Sequence, residues 1–461
     1  MQNAIDLDHF LNRPKTKSFF FRVLIVCSIL AAIQAMDVYT IATILVPLSK
    51  DFNASMAAMG LVFMFQAIGQ IIGTYLLAPY ADKVGRRPLI VWCTLGFGLM
   101  TISSAFAPTL EVFITLRTVA FIFIGTQIPV VFSIASEFAS GKNRHRNVLV
   151  VGSFHGIGAG LAGLVGGFLL NYGWHVPLIC VGIMDLLSVV MAYFFMPESI
   201  RFLAADAKRK DEFQRLIARI DPTIDPQSVK LETVEGEAKK AGVASLFTNG
   251  RWHVTLLLWV VGGICISMLG AAAQWAPTLF HTYGGVDLKS AAFMLSLNGP
   301  AGIVWPFALI FIMNKMGVPR AIAFNYVLAA IALSSLALFP YYPLLGWLFA
   351  MGIGAFLGGA TSGFYALCAA TYSTLVRATG TSWAVGAGRV LSMFVPPLIG
   401  LAVSKNVSAG ALATALVVPM VIAIIATLAL GRLLSRGSRS AAELEAVPAP
   451  TQAATLKNEP R

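Results

Sequence analysis

Charge is what this chain has least of. Only 12% of its 461 residues are Asp, Glu, Lys or Arg, against 57% hydrophobic, and a water-soluble fold of that composition could not cover its apolar bulk with a polar shell. Its solvent is therefore largely lipid. The six histidines (His9, His145, His155, His175, His253, His281) are dispersed, with no HExxH or comparable spacing, so no metal site, no cofactor and no membrane-embedded enzyme is expected. The five cysteines (Cys27, Cys93, Cys180, Cys265, Cys368) each stand alone inside an apolar run, which leaves no CxxC pair or disulfide framework; they read as small packing residues. No cleavable leader is expected either, because the first apolar run continues too long for a signal segment. The net charge of +12 does not imply nucleic acid: most lysines and arginines fall in short stretches between apolar runs, the positive-inside pattern of a membrane protein.

What the chain has in abundance is apolar runs of spanning length. A helix crossing hydrocarbon needs about 20 residues, since every backbone N–H and C=O must be satisfied within the segment. Twelve segments qualify: Val23–Pro47, Ala57–Pro79, Pro88–Ala107, Val112–Phe138, Val148–Asn171, Trp174–Met196, Trp252–Trp275, Ala291–Met313, Ala321–Phe339, Leu344–Thr371, Ser382–Val403 and Ala409–Leu430. The expected class is an all-α membrane protein. It divides into a six-helix half (1–196), a charged linker (197–251) with an amphipathic segment from Glu198 to Ile220, a second six-helix half (252–431) and an unstructured tail (432–461). The loops carrying Lys83, Arg86 and Arg87, then Lys142, Arg144 and Arg146, then Lys315 and Arg320, share one side with the linker and both termini; the other side has little beyond Lys50, Lys289 and Lys405. Both termini are expected in the cytoplasm and the bilayer to be the inner membrane.

The loop after the second span reads Ala78-Pro79-Tyr80-Ala81-Asp82-Lys83-Val84-Gly85-Arg86-Arg87-Pro88. It resembles the G-x-x-x-D-[RK]-x-G-[RK]-[RK] signature of the major facilitator superfamily, with Ala78 in place of the first glycine. Taken alone, the loop could be an ordinary charged turn that fixes topology; with twelve spans in two halves, the resemblance implies the major facilitator fold. A finer resemblance is to the aromatic acid:proton symporters. Pro197-Glu198-Ser199 with Arg201-Phe202-Leu203 is similar to their P-E-S-x-R-F-L. Tyr372-Ser373-Thr374-Leu375-Val376-Arg377-Ala378-Thr379-Gly380, continuing through Trp383-Ala384 to Gly386-Ala387-Gly388-Arg389, is similar to their Y-P-T-x-x-R-A-T-G…W-A…G-x-G-R. Arg117, Gly125 and Pro129 leading to Ser136-Glu137, and Trp275-Ala276-Pro277-Thr278-Leu279, are further echoes.

The departures are as specific. That family's D-G-[FY]-D in the first span is represented by Asp37 alone, with Ala35 and Val38 at the acidic positions. Phe121 and Phe123 stand where the family tends to have glycines, Asn314 replaces an aspartate in the second-half loop, and Ser373 replaces a proline. A bulkier fourth span implies a reshaped cavity.

Charges inside spans cost at least about 2.5–3.5 kcal/mol each, so those present are candidate functional groups. Arg389 lies deep in span 11, and its guanidinium fork suits a carboxylate; the alternative is a structural interhelix pair. Arg117 in span 4 is a second candidate for binding substrate, or else reaches the interface or Glu111. Gln274, Trp275 and Trp383 complete the candidate binding set, although tryptophans such as these and Trp305 more often serve packing. Asp37, the only acid in span 1, could bind and release a proton as its surroundings alternate; the alternative is a partner for Arg117 or Arg389. Glu137 is a second candidate for coupling and, with Asp82, belongs in a cytoplasmic charge network. Asp82, Gly85, Arg86 and Arg377 are the candidate conformational switch. Asp185 and His155 read as groups satisfied by packing. The absence of a Gly-Pro ending in the glycine-rich fifth span favours uptake over export. The expected activity is proton symport of small, carboxylated, aromatic anions by a monomer that binds no nucleic acid, with a proton-coupled drug or metabolite exporter and a non-transporting nutrient sensor as alternatives.

Overall fold

The computed structural model describes residues 5–6, 10, 13–138, 144–205, 209–225, 229–230, 246–247, 252–372 and 374–445. Helices dominate it. The first half holds α1 (Pro14–Asp51), α2 (Met56–Ile72, continued by a π turn at Gly73–Leu77), α3 (Arg86–Ser104), α4 (Leu110–Glu137), α5 (Arg144–Leu169) and α6 (His175–Phe195). The second holds α7 (Trp252–Gly284), α8 (Leu288–Ser296 and Asn298–Met316) and α9 (Val318–Ser334). It continues with α10 (Leu345–Gly352 through a π turn to Gly358–Thr371), α11 (Thr374–Ser392 and Val395–Ser404) and α12 (Ala409–Glu445). Among the described residues, eleven helical segments are long and apolar enough to cross a membrane. The twelfth, α3, has 19 residues but opens on Arg86, Arg87 and Pro88, which dilute its apolar average.

Large side chains point outward as lipid requires: Leu187, Phe194, Phe307, Phe311 and Ile425 are all more than 60% exposed. Packing repeats between the halves. The first helix of each packs on the fifth, the third on the sixth and the second on the fourth, giving α1–α5 with α7–α11, α3–α6 with α9–α12 and α2–α4 with α8–α10. Such repeated pairings are the mark of an internal structural repeat. The halves meet through α2 on α11 and α5 on α8, the second and fifth helix of each half.

Helix ends differ from the apolar runs where local chemistry, and not hydropathy, sets them. α1 begins nine residues before Val23 because Pro14 suits the first helical turn and Phe10 and Phe20 bury their rings. α8 and α11 each break, at Leu297 and at Met393–Phe394, just before Pro300 and Pro396-Pro397, which lack the N–H that a continuous helix needs. The helical part of α8 opens on Asp287, whose carboxylate accepts from the Ser290 N–H at 2.9 Å; that bond holds the carboxyl below its ordinary range. The expected unstructured tail is corrected in part: α12 continues past Arg432 to Glu445, through good helix formers such as Ala441, Ala442 and Leu444. Residues 446–461 lie outside the described residues.

Of the linker, two helices are described, Ile200–Ala205 and Lys210–Ile220. The second is amphipathic as expected and buries Phe213, Leu216, Ile217 and Ile220 at helical spacing. It sits against α1, where Arg13 and Asp221 approach to 3.6 Å. A two-residue parallel bridge joins β1 (Ile5–Asp6) to β2 (Val229–Lys230), so the chain start and the linker are tied together.

The α5–α8 contact depends on absent side chains. A Cβ on Gly163 would meet the Ala292 carbonyl oxygen and the Ser296 nitrogen, each at 2.6 Å, and one on Gly160 would meet the Ser296 carbonyl at 2.9 Å. Gly60 of α2 does the same against Pro397 of α11, at 2.7 Å. Both contacts seal the end of the bundle remote from the chain termini. Gly163→Val is therefore expected to pry that end open. Spin labels at Tyr172 and Lys289, both exposed, should report a longer distance population than in the parent; an unchanged distribution would refute the role of this contact.

Candidate functional site

Between the halves lies a cavity of about 210 Å³. α1 contributes Val38 and Tyr39, α2 Phe63, Gln66 and Gln70, α4 Phe121, α5 His155, α7 Gln274, α10 Thr361 and α11 Arg389 and Ser392. Among its described lining residues Arg389 is the one permanent cation, and no carboxylate is present. The Arg389 Nη1 donates to the Thr74 hydroxyl at 2.9 Å, across the interface between the halves. The rest of its fork has no acidic partner among the described ion pairs, so a mobile anion could occupy it.

A second constellation lies just outside that cavity. Asp37 and Tyr39 are two residues apart on α1, about 200° around the helix, so when Tyr39 faces the cavity Asp37 faces α3, α4 and α6. There Arg117 of α4 donates to Asp37 at 2.5 Å and to Thr101 of α3 at 3.1 Å, and Thr101 donates to the other Asp37 oxygen at 2.6 Å. Both charged side chains are fully buried. Asp185 of α6, 1% exposed, lies within reach of Asp37 and Arg117, and its Oδ2 has no hydrogen-bond partner among the described residues. Phe121 is the wall between the two constellations: its ring lies 5.3 Å from the Arg117 guanidinium while the residue also lines the cavity. Next to Asp37, Gln34 donates to Gln127 at 3.3 Å and Gln127 to Thr94 at 2.8 Å, pinning α1, α4 and α3 together.

The third constellation sits at the terminal end. Arg86 pairs with Glu137 and approaches Asp82 to 3.7 Å; Ser199 bonds the second Glu137 oxygen. Glu198 accepts from the backbone N–H of Arg86 at 2.9 Å and of Arg87 at 3.3 Å, capping α3 from beyond α6. Gly85, with φ +108°, makes the turn; a Cβ there would both strain the backbone and meet Glu198 at 2.6 Å.

Set against the residues singled out in the sequence, Arg389 and Gln274 reach the cavity, and Asp82, Gly85, Arg86 and Glu137 come together. Others land elsewhere. Arg117 neither lines the cavity nor reaches the interface or Glu111; it is committed to Asp37. Trp275 is 0% exposed and packs on Phe63 and Gly400, because its neighbour Gln274 takes the inward position. Trp383 is stacked on Trp259 at 6.2 Å and does not line the cavity, and Trp305 donates to Asn325. Arg377 lies on α11, but its side chain is outside the described residues. Asp185 and His155, read from the sequence as packing groups, sit beside Asp37 and in the cavity wall. Gln66 and Tyr39 are cavity residues that no motif marks, although two glutamines one helical turn apart in an apolar span, Gln66 and Gln70, are a usable signal; Glu198, marked by its motif, gains its role as the cap of α3 only from the structure.

The Major Facilitator Superfamily model matches residues 27–397. The chain belongs to that superfamily. It is a multi-pass membrane protein with the superfamily's transporter architecture, and transporters of gallate, 4-hydroxybenzoate and benzoate are among its curated relatives. The gallate transporter of Pseudomonas putida is 26% identical, over 97% of this chain and 98% of the relative. The 4-hydroxybenzoate transporter PcaK of Acinetobacter baylyi is 28% identical, over 92% and 94%. The xylose transporter XylE of E. coli, solved in a partially occluded inward-open conformation, superimposes with a TM-score of 0.68 over 90% of this chain and 99% of its own, at 16% identity, a likeness of fold.

The buried charge cluster generates a stability prediction. Asp37→Asn leaves Asp185 facing Arg117, and Asp185→Asn leaves Asp37; removing both strands a buried guanidinium, which costs about 3–5 kcal/mol. The double variant should lose more thermal stability in detergent than the two single variants summed. Simple additivity would show that Asp185 does not share Arg117.

Proposed function

We propose that this protein imports monovalent aromatic carboxylates across the cytoplasmic membrane by proton symport, with both termini in the cytoplasm. The observation that carries the reading is Arg389: a cation with no acidic partner among the described residues, in a cavity walled by Tyr39, Phe63 and Phe121. An aromatic acid has one face for those rings and one carboxylate for that fork. The curated relatives' substrates, gallate and 4-hydroxybenzoate, have that chemistry.

Coupling follows from electrostatics. Moving one negative charge inward against an inside-negative potential costs about 2.3 kcal/mol per 100 mV, and one co-transported proton cancels it. We assign the proton to the Asp37 cluster. Two carboxyls, Asp37 and Asp185, share one guanidinium, Arg117, so the cluster is neutral only when a proton is held there. Phe121 is the contact through which a bound ring could bear on that cluster. Asp37 is the coupling acid we propose, because its carboxylate holds Arg117 and Thr101 together and taking up a proton there would release that pair. The terminal-end network of Asp82, Gly85, Arg86, Glu137 and Glu198 would act as a latch whose contacts exist in one state and part in the other.

Uptake of labelled 4-hydroxybenzoate by purified protein in liposomes, driven by an imposed pH gradient, tests the reading. Accumulation should be electroneutral, and loss of preloaded substrate against the gradient would instead indicate export. Arg389→Lys keeps the charge but loses the fork and should reduce uptake about 10- to 100-fold with insertion intact; parent-like uptake would remove Arg389 from the binding site. Asp37→Asn should abolish gradient-driven accumulation while retaining counterflow exchange. If that variant accumulates substrate with the parent's pH dependence, the proton site lies elsewhere, and Glu137 is next to be tested.

A further inference from the structure

Gln66 is 1% exposed and lines the cavity from α2, yet neither its amide oxygen nor its amide nitrogen has a hydrogen-bond partner among the described residues. Four other buried amides are tied down: Gln34 to Gln127, Gln127 to Thr94, Asn147 to the Ala135 carbonyl and Asn325 to the Phe356 carbonyl. A buried polar group left unpaired is destabilising, and such a group in a binding cavity is explained when a ligand supplies the partner. We propose that Gln66 reads a ring hydroxyl on the transported acid, so that the site selects hydroxylated benzoates over benzoate itself.

The chemistry matches both ends of the amide. A phenolic hydroxyl donates to Oε1 and accepts from Nε2 at once; an unsubstituted ring edge does neither and leaves both unpaired, the situation in which sites built for a hydroxyl reject the analogue lacking it. The spacing also fits. Arg389 is bonded to Thr74, which lies eight residues beyond Gln66 on α2 and its π turn, or about 12 Å along the axis. From carboxylate oxygen to para-hydroxyl oxygen 4-hydroxybenzoate measures about 7 Å, and with a hydrogen bond of about 2.8 Å at each end it bridges about 12–13 Å. Gln70 of α2 and Phe121 of α4 line the cavity along that stretch, and Phe63 lies one turn beyond Gln66 on its far side. A two-ring acid would overrun that distance.

The inference rests on the aromatic-acid reading above, and the test separates the two. Inhibition constants against labelled 4-hydroxybenzoate uptake are measured in liposomes for benzoate, 4-methoxybenzoate, 4-aminobenzoate and 4-hydroxybenzoate. With two hydrogen bonds at stake, the parent protein should bind the hydroxy acid about tenfold more tightly than benzoate. The methoxy compound, which only accepts, should fall between them. Gln66→Leu should weaken 4-hydroxybenzoate and narrow its advantage to within about twofold; Gln66→Asn, which retracts the amide by one methylene, serves if the leucine variant does not fold. Equal affinities in the parent, or an undiminished hydroxyl preference in the variants, overturn the role of Gln66 while leaving aromatic-acid transport standing. Failure of all four acids to bind overturns the aromatic-acid reading itself.

Discussion

A guanidinium sealed away from water inside a lipid-embedded bundle must be answered by a carboxylate, and the Arg117–Asp37 pair is that answer here. Neither side chain has any exposure, so each depends on the other and on Thr101, which bonds both. Satisfying that pair fixes how α1, α3, α4 and α6 face one another. It turns Asp37 away from the centre of the protein and, by helical geometry, turns Tyr39 toward it. The cavity is in this sense a consequence of the ion pair: the residues left on the opposite face of α1 are the ones that line it.

That arrangement separates binding from charge compensation while keeping them in contact. Arg389 comes from the second half and lines the cavity; Arg117 comes from the first half and does not. Phe121 stands between, touching the Arg117 guanidinium on one side and the cavity on the other. A glycine at that position would leave a gap where the ring now forms the wall. The phenylalanine that departs from the family pattern is therefore the residue through which cavity occupancy and the charge cluster have steric contact.

Apolar length and loop charge are one-dimensional properties, and they are enough to read twelve helices in two halves. Where helices start, stop or break needed the local chemistry of Pro14, Pro300 and Pro396, which an average over an apolar run does not see. The candidate site was legible only in part. Arg389 and Asp37 stood out because a charge in a span is expensive, and Arg86 with Glu137 because a motif marked them. Which face a residue takes is three-dimensional: Trp275 and Gln274 are adjacent, and only packing decides that the glutamine turns inward. Asp185 reads as a lone acid because nothing in its own span hints that Asp37 lies beside it.

The same logic bears on why neutral amides matter in a site of this kind. A charged residue in hydrocarbon announces itself and recruits a partner within the protein, as Arg117 does. A glutamine is cheap enough to be left waiting, so an unpaired amide such as Gln66 can hold its donor and acceptor free in a way that a second buried ion could not. In the proposed site, permanent charge at Arg389 would supply the strength of anion binding, and the neutral amide would supply discrimination among anions that all satisfy the arginine equally. A binding site that must also release its cargo benefits from that division, since hydrogen bonds to a neutral group add selectivity without deepening the electrostatic well from which the anion has to leave.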